Sequence, residues 1–177
     1  MFPEKYGGGG GDAIMVMIKF EEMSYASPGT ASVIYVHVAL AMIAINSFGN
    51  QEQKQRYLVP GIREEKNGSW GFAEPNASSV PGSMTTSAKK TADGHYTING
   101  TKTFISNGSF ADFVVVTVIT DPAKGMKGLS LFMVDKGAPS FSVSKKLRIM
   151  GMRANDTPEL VFEDCRVPTF ALLGEEN

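Results

Sequence analysis

The stretch Ala31 to Ile45, ASVIYVHVALAMIAI, is apolar on nearly every side of a helix and holds one histidine, His37. A helix without a polar face needs neighbours all round to leave water, so it belongs inside a larger helical assembly or in a bilayer. It stops short of the roughly 20 apolar residues that a spanning helix needs, and it holds a histidine. The core of a helical domain is therefore the favoured reading, with no membrane span.

The segments around it also read as helices. Asp12 is a candidate N-cap for Ala13 to Ala26, where Ile14, Met17 and Ile18 form an apolar stripe and Glu21 and Glu22 a polar face. Ser27-Pro28-Gly29 breaks the chain before the apolar helix, which Gly49 is placed to close as a C′ glycine. Asn50 and Gln53 have the spacing of a capping box for a short third helix ending before Pro60-Gly61.

Past Gly68 the pattern changes. Asp93-Gly94 and Asn99-Gly100 supply positive φ cheaply and read as hairpin turns between Met84–Thr91, HYTI and TKTFIS. Phe113 to Thr120 is rich in β-branched residues, and Leu129 to Val134, Phe141 to Leu147 and Leu160 to Val167 continue the strand pattern. The predicted fold is α+β, with N-terminal helices followed by an antiparallel β-barrel-like domain. The expected division is 1–67 helical, 68–168 β and 169–177 a connection onward. The helices before Gly61 are too few and too apolar to close a domain alone, so the chain reads as a part of a larger protein.

Composition excludes some functions. A formal net charge of -1 gives no electrostatic reason to expect nucleic acid or an anionic membrane. One cysteine, Cys165, allows neither an internal disulfide nor a cysteine-pair zinc site, and no signal stretch opens the chain, so a cytoplasmic location is expected. The glycine run Gly7 to Gly11 lacks the Lys-Ser/Thr and the strand–helix setting of phosphate loops and reads as a flexible loop before a helix. His37 and His95 lack triad or metal spacing, and no G-x-S-x-G elbow is present.

The informative stretch runs from Trp70 to Asn107. SWGFAEPNASS (Ser69 to Ser79) resembles the aromatic-x-apolar-Thr-Glu-Pro-x-Ala-Gly-Ser-Asp signature of the acyl-CoA dehydrogenase family. YGGGGGD, KFEEMSYAS, FGNQEQKQRYLVP, INGTKTFISNG, MGMRANDTPELVFEDCRVP and LLGEEN are similar to successive segments of that family, in order and over nearly the whole chain.

The resemblance implies FAD as cofactor and an acyl-CoA thioester as substrate. It puts the backbone of Trp70, Phe72 and Ala73 along the flavin pyrimidine edge, and Ser79 where flavin pyrophosphate and acyl-CoA come together. Phe104-Ile105-Ser106 matches the segment whose aromatic ring packs on the isoalloxazine and whose hydroxyl bonds flavin N5. It also implies an electron-transfer flavoprotein as acceptor, a homodimer or homotetramer, and a catalytic glutamate expected beyond Asn177. The carboxylates at hand are poor substitutes for it, since Glu74 belongs to the Glu-Pro turn and Glu163 and Asp164 are expected to pair with Arg166 at the surface. Ala73 stands where the family usually has Thr, and Ser78-Ser79-Val80 replaces Gly-Ser-Asp. Two further readings stand beside this one: a non-catalytic flavin or acyl-CoA binding remnant, and a related flavin oxidase or monooxygenase, since those enzymes share the fold the resemblance implies.

Overall fold

In the computed structural model, which describes residues 1–77 and 80–177, two helices lie against one eight-stranded sheet and a third, the first in the chain, packs on the second. Helix α1 (Ala13–Ala26) starts where Asp12 accepts a hydrogen bond from the Met15 amide at 2.9 Å. Ser27 ends it and caps the next, α2 (Pro28–Phe48), through a bond from the Thr30 amide. The break therefore takes one residue, and Pro28 opens α2 at a position that needs no N–H partner. Both arms of the Asn50–Gln53 capping box form at the head of α3, residues 51–62.

Three helical expectations are corrected. The stripe of α1 is not a core face: no residue of α1 is buried, and Ile14, Met17 and Ile18 are 66%, 71% and 53% exposed. Gly49 is extended (φ -70, ψ 142) rather than left-handed. A glycine is still needed there, because a Cβ would come 2.5 Å from the Ile45 carbonyl oxygen. The third helix runs through Pro60 to Ile62, after a π turn at Lys54–Leu58.

Helix α2 is long and apolar enough to cross a membrane by length and composition, with mean hydropathy 1.8, and 33% of its most apolar window is buried. Its Ala41, Met42, Ala44 and Ile45 enter a core with Tyr57 and Leu58 of α3 and with sheet residues Phe113, Val115 and Met133.

The strands are β1 (Gly68–Gly71), β2 (Ser87–Lys90), β3 (His95–Lys102), β4 (Phe113–Ile119), β5 (Leu129–Asp135), β6 (Phe141–Lys146), β7 (Pro158–Pro168) and β8 (Leu172–Leu173). Strand β4 is buried on both faces. Phe113 and Val115 point to the helices, while Val114, Val116 and Val118 join the sheet's own core with Tyr96, Phe132, Leu160 and Phe162. Tyr96 of β3 meets Phe132 of β5 edge to face at 4.8 Å, so the sheet curls until one half covers the other.

The α+β class holds, but the sheet is open and mixed rather than barrel-like and antiparallel. Its order is β6-β7-β3-β2-β4-β5-β8, and both β1 and β2 pair with β4 in parallel. The cause lies at the strand starts. Asn67 and Asp112 bond each other, amide to carboxylate at 2.7 Å and amide to carbonyl at 2.8 Å, which sets β1 and β4 side by side from the same end.

Asp93-Gly94 is a hairpin turn, with Gly94 at φ 80. Asn99-Gly100 is not a turn, because β3 runs straight through it. The dipeptide instead faces a bulge in β7, where Asp164 takes φ 55 and exchanges two hydrogen bonds with the Asn99 side chain. His95 opens β3, right after that turn.

Candidate flavin-facing site

The segments Trp70–Ala73 and Phe104–Ser106, distant in sequence, are stitched together. Strand β1 is held from behind by His37, whose Nδ1 accepts from the Gly68 amide at 2.9 Å while Nε2 meets the Gly61 carbonyl at 3.2 Å. Burial pushes the His37 pKa down, which keeps the ring neutral and able to accept and donate at once. Gly68 admits α2 closely, since a Cβ would lie 2.8 Å from that of Ala41 and 2.7 Å from the Phe113 ring. Where β1 ends, the Ala73 carbonyl takes the Thr103 amide at 2.8 Å, and Ser69 Oγ donates to the Ser106 carbonyl at 2.6 Å. Trp70, Phe72 and Ala73 are half-buried along this seam.

Below the seam sits a buried ion pair. Lys102 Nζ lies 2.9 Å from Glu74 Oε1 and also donates to the Phe72 carbonyl at 3.0 Å. Glu74 accepts from the Thr85 amide and hydroxyl and from the Thr86 amide. Burial alone would raise the Glu74 carboxyl, but the bonds from Thr86, Lys102 and Thr85 and the Lys102 charge outweigh it and hold it down at about 2. Burial pushes the Lys102 ammonium down against the pull of Glu74. The pair fixes the Phe72-Ala73-Glu74-Pro75 turn from inside.

After β3 the chain turns through Phe104 at φ 58, an uncommon conformation for a bulky side chain and one that carries strain of about 1–3 kcal/mol. The turn leaves the Phe104 ring 63% exposed, while Ile105 is buried in the sheet core. The Ile105 amide bonds the Pro158 carbonyl and the Asn107 amide the Asp156 carbonyl, each at 3.0 Å, so the loop is clamped to the start of β7. Ser106 is half-buried, and its Oγ accepts from Asn155 Nδ2 at 2.9 Å. Ser79, the expected pyrophosphate contact, lies outside the described residues.

An exposed aromatic ring held by a strained backbone, a hydroxyl two residues on and a half-buried backbone segment beside them fit a flat heteroaromatic group such as a flavin. Other candidates are spoken for. Arg166 pairs with Asp93 across the hairpin rather than with Glu163 or Asp164, because the bulge gives Asp164 to Asn99. Cys165 is buried, and burial pushes its thiol up to about 11, so it stays protonated. Gly7, Gly8, Gly9 and Gly11 line a cavity of about 830 Å³ with Phe20, Val33, His37 and Asn107, and neither Phe104 nor Ser106 is part of that lining. Gly8 is required there, since a Cβ would lie 2.1 Å from the Phe2 carbonyl oxygen.

Sequence reasoning passed over Lys102 and Asn155. The alternation of β3 gives the first away, because Tyr96, Ile98 and Lys102 share the inward phase. Nothing local marks Asn155, whose partner lies 49 residues away.

Comparison with known proteins shows the family. The acyl-CoA dehydrogenase N-terminal domain matches residues 1–65 and the acyl-CoA dehydrogenase middle domain residues 69–165. The chain is 44% identical over 176 residues to a short-chain specific acyl-CoA dehydrogenase of Clostridium acetobutylicum, covering 99% of this chain and 46% of that protein. Butyryl-CoA dehydrogenase from Megasphaera elsdenii superposes with a TM-score of 0.95 at 40% identity, over 99% of this chain and 46% of that one. A glutaryl-CoA dehydrogenase from Mycobacterium smegmatis, solved in complex with FADH2, gives 0.89 at 31% identity over 96% and 42%. The chain thus spans about half the length of the relatives it matches. On sequence, order of elements and superposition alike, it belongs to the acyl-CoA dehydrogenase family.

Proposed function

We propose that this chain forms the flavin-facing wall of an FAD-dependent enzyme that dehydrogenates an acyl-CoA thioester between its α and β carbons. The observation that carries the reading is the strained turn that exposes Phe104 next to the Ser106 hydroxyl. FAD would supply the hydride acceptor, at its N5.

The chain's own residues have separate tasks. Phe104 would stack on the isoalloxazine, and Ser106 would donate its hydroxyl proton to N5, where charge builds during reduction. The backbone at Trp70, Phe72 and Ala73 would meet the pyrimidine ring, held in place by Lys102 and Thr103. Ser79 would lie by the pyrophosphate and the acyl-CoA. The base that takes the α-proton would come from elsewhere in the protein. Glu74 is committed to Lys102, Thr85 and Thr86, and Glu159 accepts from Thr103. An electron-transfer flavoprotein would then take the electrons, from a homodimer or homotetramer.

The test is FAD binding by the purified chain, read by flavin fluorescence with the protein in excess. Saturable but weak binding is expected, since much of the cofactor stays in water against a single wall, with about tenfold weakening in Phe104→Ala. No acyl-CoA turnover is expected from the chain alone. Absence of saturable binding would overturn the proposal.

A further inference from the structure

We propose that Asn155 is a positioning residue that fixes the direction in which the Ser106 hydroxyl donates, and so sets how strongly that hydroxyl acts on a bound flavin. The inference rests on the flavin-facing reading of Ser106 given above.

A serine hydroxyl has one proton and two lone pairs, and only the direction of the proton decides whether it serves a ring nitrogen as a donor. Asn155 Nδ2 donates to Ser106 Oγ at 2.9 Å and approaches Ser32 Oγ of α2 at 3.4 Å. The amide nitrogen therefore occupies a lone pair of Ser106. The proton of Ser106 is left to point elsewhere, toward whatever acceptor meets the exposed side of the turn. An N–H donated to a hydroxyl oxygen also polarises its O–H bond and makes it the stronger donor.

The arrangement is held from several directions. The Asn155 amide closes a turn on the Met152 carbonyl at 2.8 Å. Its neighbour Asp156 is buried and accepts from the Asn107 amide through its carbonyl and from the Ser109 amide through Oδ2. Lys146 Nζ stands 2.9 Å from the other carboxylate oxygen of Asp156. Asn155 and Ser106 are thus fixed to each other through backbone on either side. The Asn155 Oδ1 is buried and has no hydrogen-bond partner among the described residues. The nitrogen of the amide, not its oxygen, is presented to the two hydroxyls.

A merely structural Asn155 would link the 150s turn to the Ser106 loop and do no more. The two roles separate in a double-mutant cycle on the bound flavin. Asn155→Ala, Ser106→Ala and the double variant are loaded with FAD, protein in excess. Visible spectrum and midpoint potential are then measured by dye-coupled photoreduction, with melting temperature as a control; Asn155→Leu, closer in volume, replaces Asn155→Ala if that variant does not fold. The expected result is a shift in Asn155→Ala in the same direction as in Ser106→Ala and smaller, with no further shift when Asn155 is removed from the Ser106→Ala protein. Equal shifts in both backgrounds, or a lowered melting temperature with spectrum and potential unchanged, would overturn the positioning role while leaving flavin binding intact. Failure of the unaltered protein to bind FAD would overturn the functional proposal and this inference with it.

Discussion

Lys102 Nζ and Glu74 Oε1 stand 2.9 Å apart with side chains 0% and 2% exposed, so the turn beneath the Trp70–Ala73 seam rests on a desolvated ion pair. Taking two charges out of water is costly, and the pair holds only because each partner has further hydrogen bonds, Lys102 to Phe72 and Glu74 to Thr85 and Thr86. Removing one partner strands the other. Lys102→Met or Glu74→Gln alone should each cost about 3–5 kcal/mol in urea unfolding, and the double variant clearly less than the sum of the two. Additive losses would show that the two charges do not depend on each other.

The same carboxylate makes a pH prediction. Glu74 falls from 4.5 to about 2 in the folded chain, so its ionised form stabilises the fold fully above about pH 4.5. That contribution is lost as pH drops toward 2, and amounts to about 3 kcal/mol. Urea midpoints at pH 7 and pH 3 should therefore differ more in the unaltered protein than in Glu74→Gln. Equal differences would remove Glu74 from the acid response.

Helix α1 offers a contrast, since it buries no residue and its start depends on Asp12. Asp12→Ala should speed amide exchange at residues 13–18, at a local cost of about 1 kcal/mol, and leave global melting nearly unchanged. A cooperative drop in melting temperature would mean that α1 is tied to the core.

Two glycines separate crowding from backbone strain. Gly100 has φ 143, and a Cβ there would lie 2.5 Å from Thr86 Oγ1 and 2.7 Å from Thr86 Cα. Gly137 has φ 79 with nothing within 4 Å of a Cβ. Gly137→Ala should cost about 1 kcal/mol and Gly100→Ala several times that, measured by thermal unfolding. Equal costs would show that Thr86 moves aside freely.

What was legible in the sequence follows the range of the interactions. The caps at Asp12 and Asn50 and the turn at Asp93-Gly94 are set by residues three or four apart, and they formed as expected. The pairing of β1 with β4 was not legible, because it rests on Asn67 meeting Asp112, 45 positions further along the chain. Asn99-Gly100 misled for a related reason: its glycine answers the approach of Thr86 and its asparagine the bulge at Asp164, neither of them a local feature. At the site, family motifs pointed to Phe104 and Ser106 together. Lys102, which holds the Phe72 carbonyl, shows only in the alternation of β3, and Asn155, which holds Ser106, becomes visible only in the folded chain.

The central claim is that FAD meets this chain at Trp70–Ala73 and Phe104–Ser106, and amide chemical-shift mapping tests it directly, because that measurement tolerates weak binding. On titrating FAD into the labelled protein, the perturbed amides should cluster at Trp70, Phe72, Ala73, Phe104, Ile105 and Ser106, and the cluster should fade in Phe104→Ala. Perturbations centred on the cavity beside Gly7–Gly11, or none at all at saturating FAD, would contradict the account.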